Sequence, residues 1–212
     1  MNGAEINAKV WAGYAKAANV IGTTYHHYRP LSALAPLGNQ LADMLVSLNA
    51  DDPKYSRPNV YGKATWYAVA DGSQLAVGDY ITGIEGTFFV AALQQMLPIF
   101  MVDCNRTLTI KRPQQQTGVG ALPYGGDTEA LETTLMQSWP ASMLKGGGHT
   151  KGEEILPGDI KAAGFQVLLP HFAGVTIRPA DVIEDDLGER LIVSLAELTD
   201  LGWRIEAIQV TT

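Results

Sequence analysis

The chain has 212 residues, with 15 Lys and Arg against 22 Asp and Glu, which gives a formal net charge of −7. This acidic balance argues against binding to the phosphate backbone of nucleic acids, which needs clustered cationic side chains. The 46% hydrophobic and 17% charged contents are typical of an ordered globular protein, and the single cysteine, Cys104, excludes an intrachain disulfide and a cysteine-based zinc site.

The N-terminal region, residues 1–53, is predicted to contain two helices joined by an extended arm. Apolar residues recur at helical spacing over Ala4–Val20, and Gly22 follows as a stop signal. Residues 23–36 contain prolines and few long apolar runs, which favours an extended arm. A second helix is predicted over Leu37–Asn49 because apolar residues recur there with a helical period. The residues that carry this second pattern are Leu37, Leu41, Met44, Leu45 and Leu48.

A first β-module is predicted over residues 54–113. Residues 64–70 and 77–82 have the composition of strands, and residues 87–91 are rich in β-branched and aromatic side chains after a Glu-Gly turn. Over Ile99–Ile110 apolar side chains recur at every second position for much of the run, which predicts one long strand.

The second half of the chain is predicted to be a linker, residues 114–127, followed by a second β-module over residues 128–212. The linker is rich in glycine, which favours turns and irregular backbone. Thr128–Gln137 is predicted to be a short helix with Asp127 as its N-cap, although the Thr133-Thr134 pair would also suit a strand. Residues 142–154 are predicted to be a flexible, glycine-rich loop. The predicted strands of this module are 165–169, 175–183, 189–194 and 203–210.

The two modules share a pattern that repeats after 102 residues: an Asp, an apolar strand, a Gly turn and a second apolar strand. In a gap-free alignment, Asp79, Ile81, Gly86 and Leu93 match Asp181, Ile183, Gly188 and Leu195, and Phe89-Val90 matches Leu191-Ile192. One distant repeat predicts two related modules rather than a solenoid, which needs at least three copies. The expected fold class is mainly β (α+β), with two small β-barrel or sandwich modules and an N-terminal helical arm.

The sequence contains no local motif for catalysis, a cofactor or a metal ion. Gly62-Lys63 is followed by Ala64 rather than Ser or Thr, so the phosphate-binding loop pattern fails, and HExxH and GxSxG are absent. His26 and His27 are adjacent, which points their rings apart in any regular structure. We therefore predict no catalytic, cofactor-binding or metal-binding residues, and we do not expect an enzyme.

One catalytic pairing stays open, because the sequence does not give the distance between Cys104 and His171. The phase of Cys104 within its strand favours instead a buried, inert thiol. The acidic run Glu184–Asp186 lacks the ligand spacing of a calcium-binding loop and predicts a β-turn.

The candidate partner contacts are aromatic and Arg-Pro elements in segments that bury little of their own surface. They are Tyr25, Tyr28, Arg29, Arg57 and Tyr61. Tyr and Arg are enriched at the energetic centres of protein–protein interfaces. The alternative is that these segments wrap their own β-module, with the rings covering the edge of its core.

Five blocks of the sequence carry a resemblance to a known family. They are Tyr28–Pro30, Tyr55–Lys63, Gly78–Arg106, Ser138–Ser142 and Leu198–Arg204. These blocks resemble a family of uncharacterised tailed-phage proteins encoded among virion structural genes. Each β-module is also similar to the small barrels of phage head–tail stopper and tail-completion proteins.

The resemblance implies a virion structural protein: a head–tail connector, or neck, subunit that forms a homo-oligomeric ring. It implies assembly in the host cytoplasm and contact with portal, adaptor or tail proteins. DNA would pass through the pore of such a ring without being read in sequence, and an acidic lining would let it slide by like-charge repulsion.

Two alternative functions are left open by the sequence. The first is a tail or baseplate structural component. The second is a module that binds host-surface carbohydrate, which needs an exposed aromatic platform. Its candidate residues are Trp139 and Trp203, although the strand phase of Trp203 favours a place in the core. No membrane partner is expected, because the longest apolar run, residues 88–102, is interrupted by polar residues and a proline and falls short of about 20 residues.

Overall fold

A computed structural model describes residues 2–50, 62–114, 131–145 and 164–209 of the chain. Within these residues, one N-terminal helix precedes two six-stranded antiparallel β-barrels with the same order of strands. The predicted mainly-β class with two small barrel modules is therefore confirmed.

Each barrel is formed by six strands that follow one another in the chain. The helix α1 spans Gly3–Ile21, and the first barrel contains β1 Thr23–Tyr28, β2 Gln40–Ala50, β3 Thr65–Val69, β4 Tyr80–Gly83, β5 Gly86–Ala92 and β6 Ile99–Cys104. The second barrel contains β7 Arg106–Pro113, β8 Glu132–Lys145, β9 Gly164–Leu169, β10 Val182–Asp185, β11 Arg190–Thr199 and β12 Gly202–Gln209.

Both sheets close on themselves in the same way. The first has the order β1-β2-β3-β6-β5-β4, and β4 pairs back onto β1. The second has the order β7-β8-β9-β12-β11-β10, and β10 pairs back onto β7. Closure leaves neither barrel with a free edge strand along these ladders.

The helix α1 confirms the first predicted helix. Its N-terminus is a capping box, in which the Asn2 side chain accepts from the Glu5 amide at 2.9 Å and the Glu5 carboxylate accepts from the Asn2 amide. Helix α1 packs on β2 and β3. The buried Asn7 side chain also accepts a hydrogen bond from the Met96 amide, at 3.2 Å, which ties the helix to the β5–β6 loop.

The prediction of a second helix over Leu37–Asn49 is wrong, because residues 40–50 form β2. Its apolar residues include pairs four positions apart, a spacing that fits one face of a helix and one face of a strand equally well. Met44 and Val46 point into the barrel and are buried, while Leu41 lies exposed on the outside. The backbone pairing of this segment with β1 and β3 shows that it is a strand. The predicted extended arm likewise begins with a barrel strand, β1.

The predicted helix over Thr128–Gln137 is also wrong where it can be compared, because β8 begins at Glu132 and continues to Lys145. Residues 128–130 lie outside the described part of the chain, as do residues 115–127 of the predicted linker. The predicted loop over 142–154 is strand as far as Lys145, and its remainder lies outside the described residues.

The predicted single strand over Ile99–Ile110 is two strands that belong to different barrels. It breaks at Asn105, whose side chain donates to the Met143 carbonyl at 2.9 Å and accepts from the Met143 amide at 2.7 Å. The first barrel therefore ends at Cys104 and the second begins at Arg106. The predicted module bounds at residues 54, 113 and 128 do not coincide with these barrels, since β1 and β2 precede residue 54.

Two apolar clusters hold the barrels together. The interior of the first barrel is filled by Tyr25, Met44, Val46, Ala68, Ile81, Phe88, Val90, Ile99 and Met101. The interior of the second barrel joins, in one cluster, with residues on the outer side of the first, namely Ala64, Tyr80, Phe89, Ala91 and Val102. The two barrels thus share one apolar cluster, and each large side chain buried in it contributes about 1.5–3 kcal/mol.

Strand register confirms the predicted internal repeat and corrects its alignment. Tyr80 pairs with Phe89 in the first barrel, and Val182 pairs with Ile192 in the second. Phe89 is therefore equivalent to Ile192 and not to Leu191. The gap-free alignment is valid as far as Ile183, but the β10–β11 turn is one residue longer than the β4–β5 turn, so β11 is shifted by one residue relative to β5. The last strands are shifted further, since Val102 corresponds to Ile208.

Candidate functional site

An ion pair between a partly exposed arginine and a buried aspartate lies at the closure of the first barrel, where β1 ends and β4 begins. Arg29 follows β1, and its Nε and terminal amino groups donate to the two carboxylate oxygens of Asp79 at 2.7 and 2.6 Å. Asp79 is buried, and one of its oxygens also accepts from the Ala76 amide at 2.7 Å. Arg29 donates further to the Gln74 carbonyl. This bidentate contact fixes the entry of the chain into β4.

The second barrel contains the same ion pair in the same place. Arg112 donates from Nε and a terminal amino group to both oxygens of Asp181, each at 2.8 Å, and to the Thr176 carbonyl at 2.7 Å. Asp181 is buried and accepts from the Arg178 amide at 2.8 Å. We refer to the Arg29–Asp79 and Arg112–Asp181 pairs as the two clamps.

The first clamp has a third member. His27 is buried, and its Nε2 lies 2.8 Å from a carboxylate oxygen of Asp79. In the second barrel the equivalent position is Ile110, since Ile110 pairs with Ile183 as His27 pairs with Ile81. The neighbouring His26 points outward to Asp43, at 2.7 Å, so the prediction that the two rings point apart is confirmed.

The contacts within the clamps change the pKa values of the clamp side chains. Burial alone would raise the pKa of Asp79, but hydrogen bonds from Arg29, His27 and the Ala76 amide outweigh it and lower that pKa below 3.8. Hydrogen bonding to Asp79 and to Asp181 raises the pKa values of Arg29 and Arg112, respectively. Both oxygens of each clamp carboxylate are already occupied, so the clamps act as structural locks.

Two cavities lie between the barrels beside the first clamp. One, of about 110 Å³, is lined by Arg29, Pro30, Ala76, Val77, Gly78, Asp79, His171 and Phe172. The other, of about 340 Å³, is lined by Val77, Val90, Pro170, His171, Leu198, Thr199, Asp200, Leu201 and Gly202. His171 lines both of these cavities, whereas Cys104 lines neither of them. Burial, followed by the charge of Asp103, raises the pKa of the Cys104 thiol, which makes the thiolate a minor species.

Three of the five predicted partner contacts lie in the described residues, and each has a contact inside the protein. Tyr25 is buried against Phe88, and its hydroxyl donates to Glu85 at 2.8 Å. A side chain at position 83 would collide with the Tyr25 ring, since the Cβ of any residue other than glycine would lie 2.5 Å from it. Tyr28 packs, half-buried, against the cluster between the barrels, and Arg29 belongs to the first clamp.

Arg57 and Tyr61, the other two predicted contacts, lie outside the described residues. The two tryptophans considered for carbohydrate binding are both buried. Trp139 packs against Tyr80 and Phe172, and its indole nitrogen donates to the Ala33 carbonyl at 2.6 Å. Neither tryptophan therefore forms an exposed sugar-binding platform, and the prediction that Trp203 belongs to the core is confirmed. The predicted acidic turn is present, with Asp185 accepting from the Leu187 and Glu189 amides.

Exposed apolar side chains lie on the outer sides of several barrel strands. They are Leu41 and Leu45 on β2, Ile192 and Leu195 on β11, and Ile208 on β12. Ile192 and Ile208 are paired across β11 and β12, so they form a contiguous patch. Patches of this kind on a folded surface are characteristic of sites that another protein covers.

Sequence reasoning found neither the clamps nor this patch. A signal for the clamps exists, because each clamp arginine is followed by a proline, at Arg29-Pro30 and Arg112-Pro113. The same dipeptide also occurs at Arg57-Pro58 and Arg178-Pro179, so it does not by itself identify the pair. The match of Asp79 to Asp181 in the internal repeat identifies the carboxylates of the two clamps.

Comparison of the chain with protein-family models, with curated proteins and with solved structures finds no match in any of the three. The resemblance to phage virion proteins therefore stays a prediction. Within the described residues, no helix is long and apolar enough to cross a membrane. The same part of the chain contains no group of three or more His, Cys, Asp and Glu residues that could hold a metal ion.

Proposed function

We propose that the protein is a structural subunit that assembles with copies of itself into a ring, and that this ring is the head–tail connector of a phage virion. The observation that carries the proposal is the apolar outer surface of the barrels. Ile192 and Ile208 are 44% and 45% exposed although they lie on regular strands, where a polar residue would fit the fold equally well.

The architecture suits assembly through side chains. Both barrels are closed, so a neighbouring subunit cannot extend their sheets along these ladders, and contact between subunits has to use strand faces and loops. Two barrels that pack on one another provide a rigid body, which docks at little cost in conformational entropy. A chain with two unlike ends can form a head-to-tail ring when the rotation between subunits closes.

The phage role is supported by the five sequence blocks that resemble virion proteins and by the sequence pattern of each module, which is similar to that of stopper and tail-completion proteins. In this role the partners are portal or adaptor proteins on one side and tail proteins on the other. The net charge of −7 is consistent with a pore through which DNA slides by like-charge repulsion. A tail or baseplate position is the alternative within the same class.

The proposal is tested by measuring mass in solution with light scattering, for the protein alone and mixed with portal and tail proteins of the phage that encodes it. We expect a hexamer or dodecamer, or a ring that forms only with those partners, and ring-shaped particles by negative-stain electron microscopy. Capture by baseplate proteins alone would favour the alternative position. A monomer under all of these conditions would contradict the proposal.

A further inference from the structure

The contact between the two barrels of one chain joins two different surfaces. The first barrel contributes a row of outward residues across β4, β5 and β6, namely Tyr80, Phe89 and Val102, which are 0%, 1% and 3% exposed. The second barrel contributes β8 at Trp139 and Pro140, and Trp139 lies on the inner side of that strand because it pairs with Leu108 of the barrel interior. The Tyr80 hydroxyl donates to the Pro140 carbonyl at 2.8 Å, and its ring lies 6.0 Å from that of Trp139. We call the three residues the outer row of the first barrel.

The second barrel has an equivalent outer row, formed by Val182, Ile192 and Ile208. Val182 is buried, but Ile192 and Ile208 are 44% and 45% exposed, where their counterparts Phe89 and Val102 are almost completely covered. Within the described part of the chain, two of the three positions of this row are thus apolar and largely exposed.

The first barrel, in turn, has an equivalent of the surface that β8 provides. Leu48 pairs with Ala68 as Met143 pairs with Val167, which aligns β2 with β8 and makes Leu45 the counterpart of Pro140. Pro140 is buried and its carbonyl accepts from Tyr80, whereas Leu45 is 37% exposed on the outer side of β2. The equivalents of the internal contact are therefore exposed at Leu45 on one barrel and at Ile192 and Ile208 on the other.

We propose that the outer row of the second barrel docks on the outer side of β2 in a second copy of this chain. The contact would repeat between chains the contact that joins the two barrels within one chain. The inference rests on the self-assembly part of the proposed function and does not depend on the phage role.

The surroundings of the two open surfaces fit this contact. Beside Ile192 and Ile208 lie two ion pairs, Lys111–Glu184 and Arg190–Glu132, and beside Leu45 lies the pair His26–Asp43. An apolar centre with a charged rim is the usual composition of a protein–protein interface. Because the two surfaces differ, the contact is heterologous and leaves a free copy of each surface at the ends of any dimer. Its repetition gives a closed ring when the rotation closes.

The position of the contact can be tested by disulfide trapping in full-length chains that carry Cys104→Ser. Two single-cysteine variants, Leu45→Cys and Ile192→Cys, are purified separately, mixed and oxidised. We expect a cross-linked dimer in the mixture, on a non-reducing gel, and little of it with either variant alone. The matched control is Ile84→Cys, which is highly exposed at the β4–β5 turn and outside both surfaces; mixed with Leu45→Cys it should give no dimer above background.

A charge substitution gives an independent test of the same surface. We expect Ile192→Glu to lower the mass measured by light scattering from that of the oligomer to that of the monomer, and Ile84→Glu to leave the oligomer intact. An unchanged melting temperature would show that Ile192→Glu remains folded. Ile208→Glu should act in the same way if Ile192→Glu is poorly stable.

The outcomes separate this inference from the proposed function. An oligomer in which Ile192→Cys cross-links to itself as readily as to Leu45→Cys would show an isologous contact and would overturn the inference, while self-assembly would stand. An oligomer that persists in both Ile192→Glu and Ile208→Glu would also overturn the inference, while self-assembly would stand. A parent protein that is monomeric by itself would also overturn the inference, and the connector proposal would then depend on assembly with portal or tail proteins.

Discussion

The two barrels of this chain share their interior design and differ on the outside. Both have the same strand order, the same clamp at the entry to the fourth strand and a bulge at the equivalent place in the fifth strand. The outer row of the first barrel is covered, and that of the second is half-exposed. The clamp and the packed interior are thus what the barrel needs in order to form, whereas the outer side chains depend on what each barrel contacts.

The clamps also differ in one residue, since only the first contains a histidine. Asp181 is held by Arg112 and a backbone amide alone, whereas Asp79 has the additional contact with His27. An Arg–Asp pair is therefore sufficient to close a barrel of this type. His27 adds a hydrogen bond inside the first barrel where the second has the apolar Ile110.

The largest effect is expected from truncating the two outer rows at equivalent positions. Phe89→Ala should lower the free energy of unfolding by about 3–5 kcal/mol, because it opens a cavity between the barrels. Ile192→Ala should cost well under about 1 kcal/mol in dilute protein, because this side chain is half-exposed. Denaturant unfolding of both variants measures the difference. Equal losses would show that the two rows are equally covered in solution.

Removal of the clamp carboxylates ranks second. Asp79→Ala should destabilise the protein by about 3 kcal/mol, because the buried His27 and the Ala76 amide lose their acceptor along with Arg29. Asp181→Ala should cost about 2 kcal/mol, because no histidine depends on it. Both arginines are partly exposed and can be rehydrated, which limits the loss. Chemical denaturation checks the order, and a larger loss at Asp181 would contradict it.

The first clamp should also make stability depend on acid. The pKa of Asp79 in the folded protein lies below its ordinary value of 3.8, so its contribution to stability is complete above that value. The contribution is lost as the pH falls through the lower, folded pKa. The free energy of unfolding should therefore decrease more steeply below pH 3.8 in the parent protein than in Asp79→Asn. Parallel pH profiles for the two proteins would contradict the assignment.

Exchanging the residue that differs between the clamps should have a smaller effect. His27→Ile gives the first clamp the composition of the second and should cost about 1 kcal/mol, because Asp79 keeps Arg29 and the amide while the new side chain adds apolar contact. The reciprocal Ile110→His should cost more, because it places a polar ring at a completely buried apolar position of the barrel interior. Thermal melts of both variants test this asymmetry.

The smallest effect is expected at the hydrogen bond between the barrels. Tyr80→Phe keeps the ring in the outer row but leaves the Pro140 carbonyl without its donor, so we expect a loss of about 1 kcal/mol. Tyr67→Phe, in which the ring that packs against Phe100 keeps its shape, serves as the matched control. A Tyr80→Phe variant as stable as the parent protein would show that water or another group replaces the hydroxyl.

The sequence predicted those elements whose local pattern allows a single interpretation. Helix α1 has a helical apolar face and a stop at Gly22, and β9 and β12 alternate clearly, as their burial shows. Strand β2 was missed because residues four apart share a face in either structure, so only the pairing with β1 and β3 decides. The break at Asn105 was missed because one polar residue hardly disturbs a period of two, although its hydrogen bonds with Met143 make it the boundary.

The candidate site was harder to predict, because its partners are distant in sequence. Arg29 and Asp79 meet only when β1 pairs with β4. The sequence contains four Arg-Pro dipeptides, and it does not show which of them supply the clamp arginines. The exposure of Ile192 and the burial of Phe89 have no local signal at all, since both are apolar residues on equivalent strands. Burial by a neighbouring barrel is a property of the tertiary structure.

The single-residue junction at Asn105 has a mechanical consequence. A joint of one residue, itself bonded to Met143 in the adjoining barrel, leaves no slack between the two halves. A force applied to one barrel is therefore passed directly to the other, and the two barrels move together as one stiff unit.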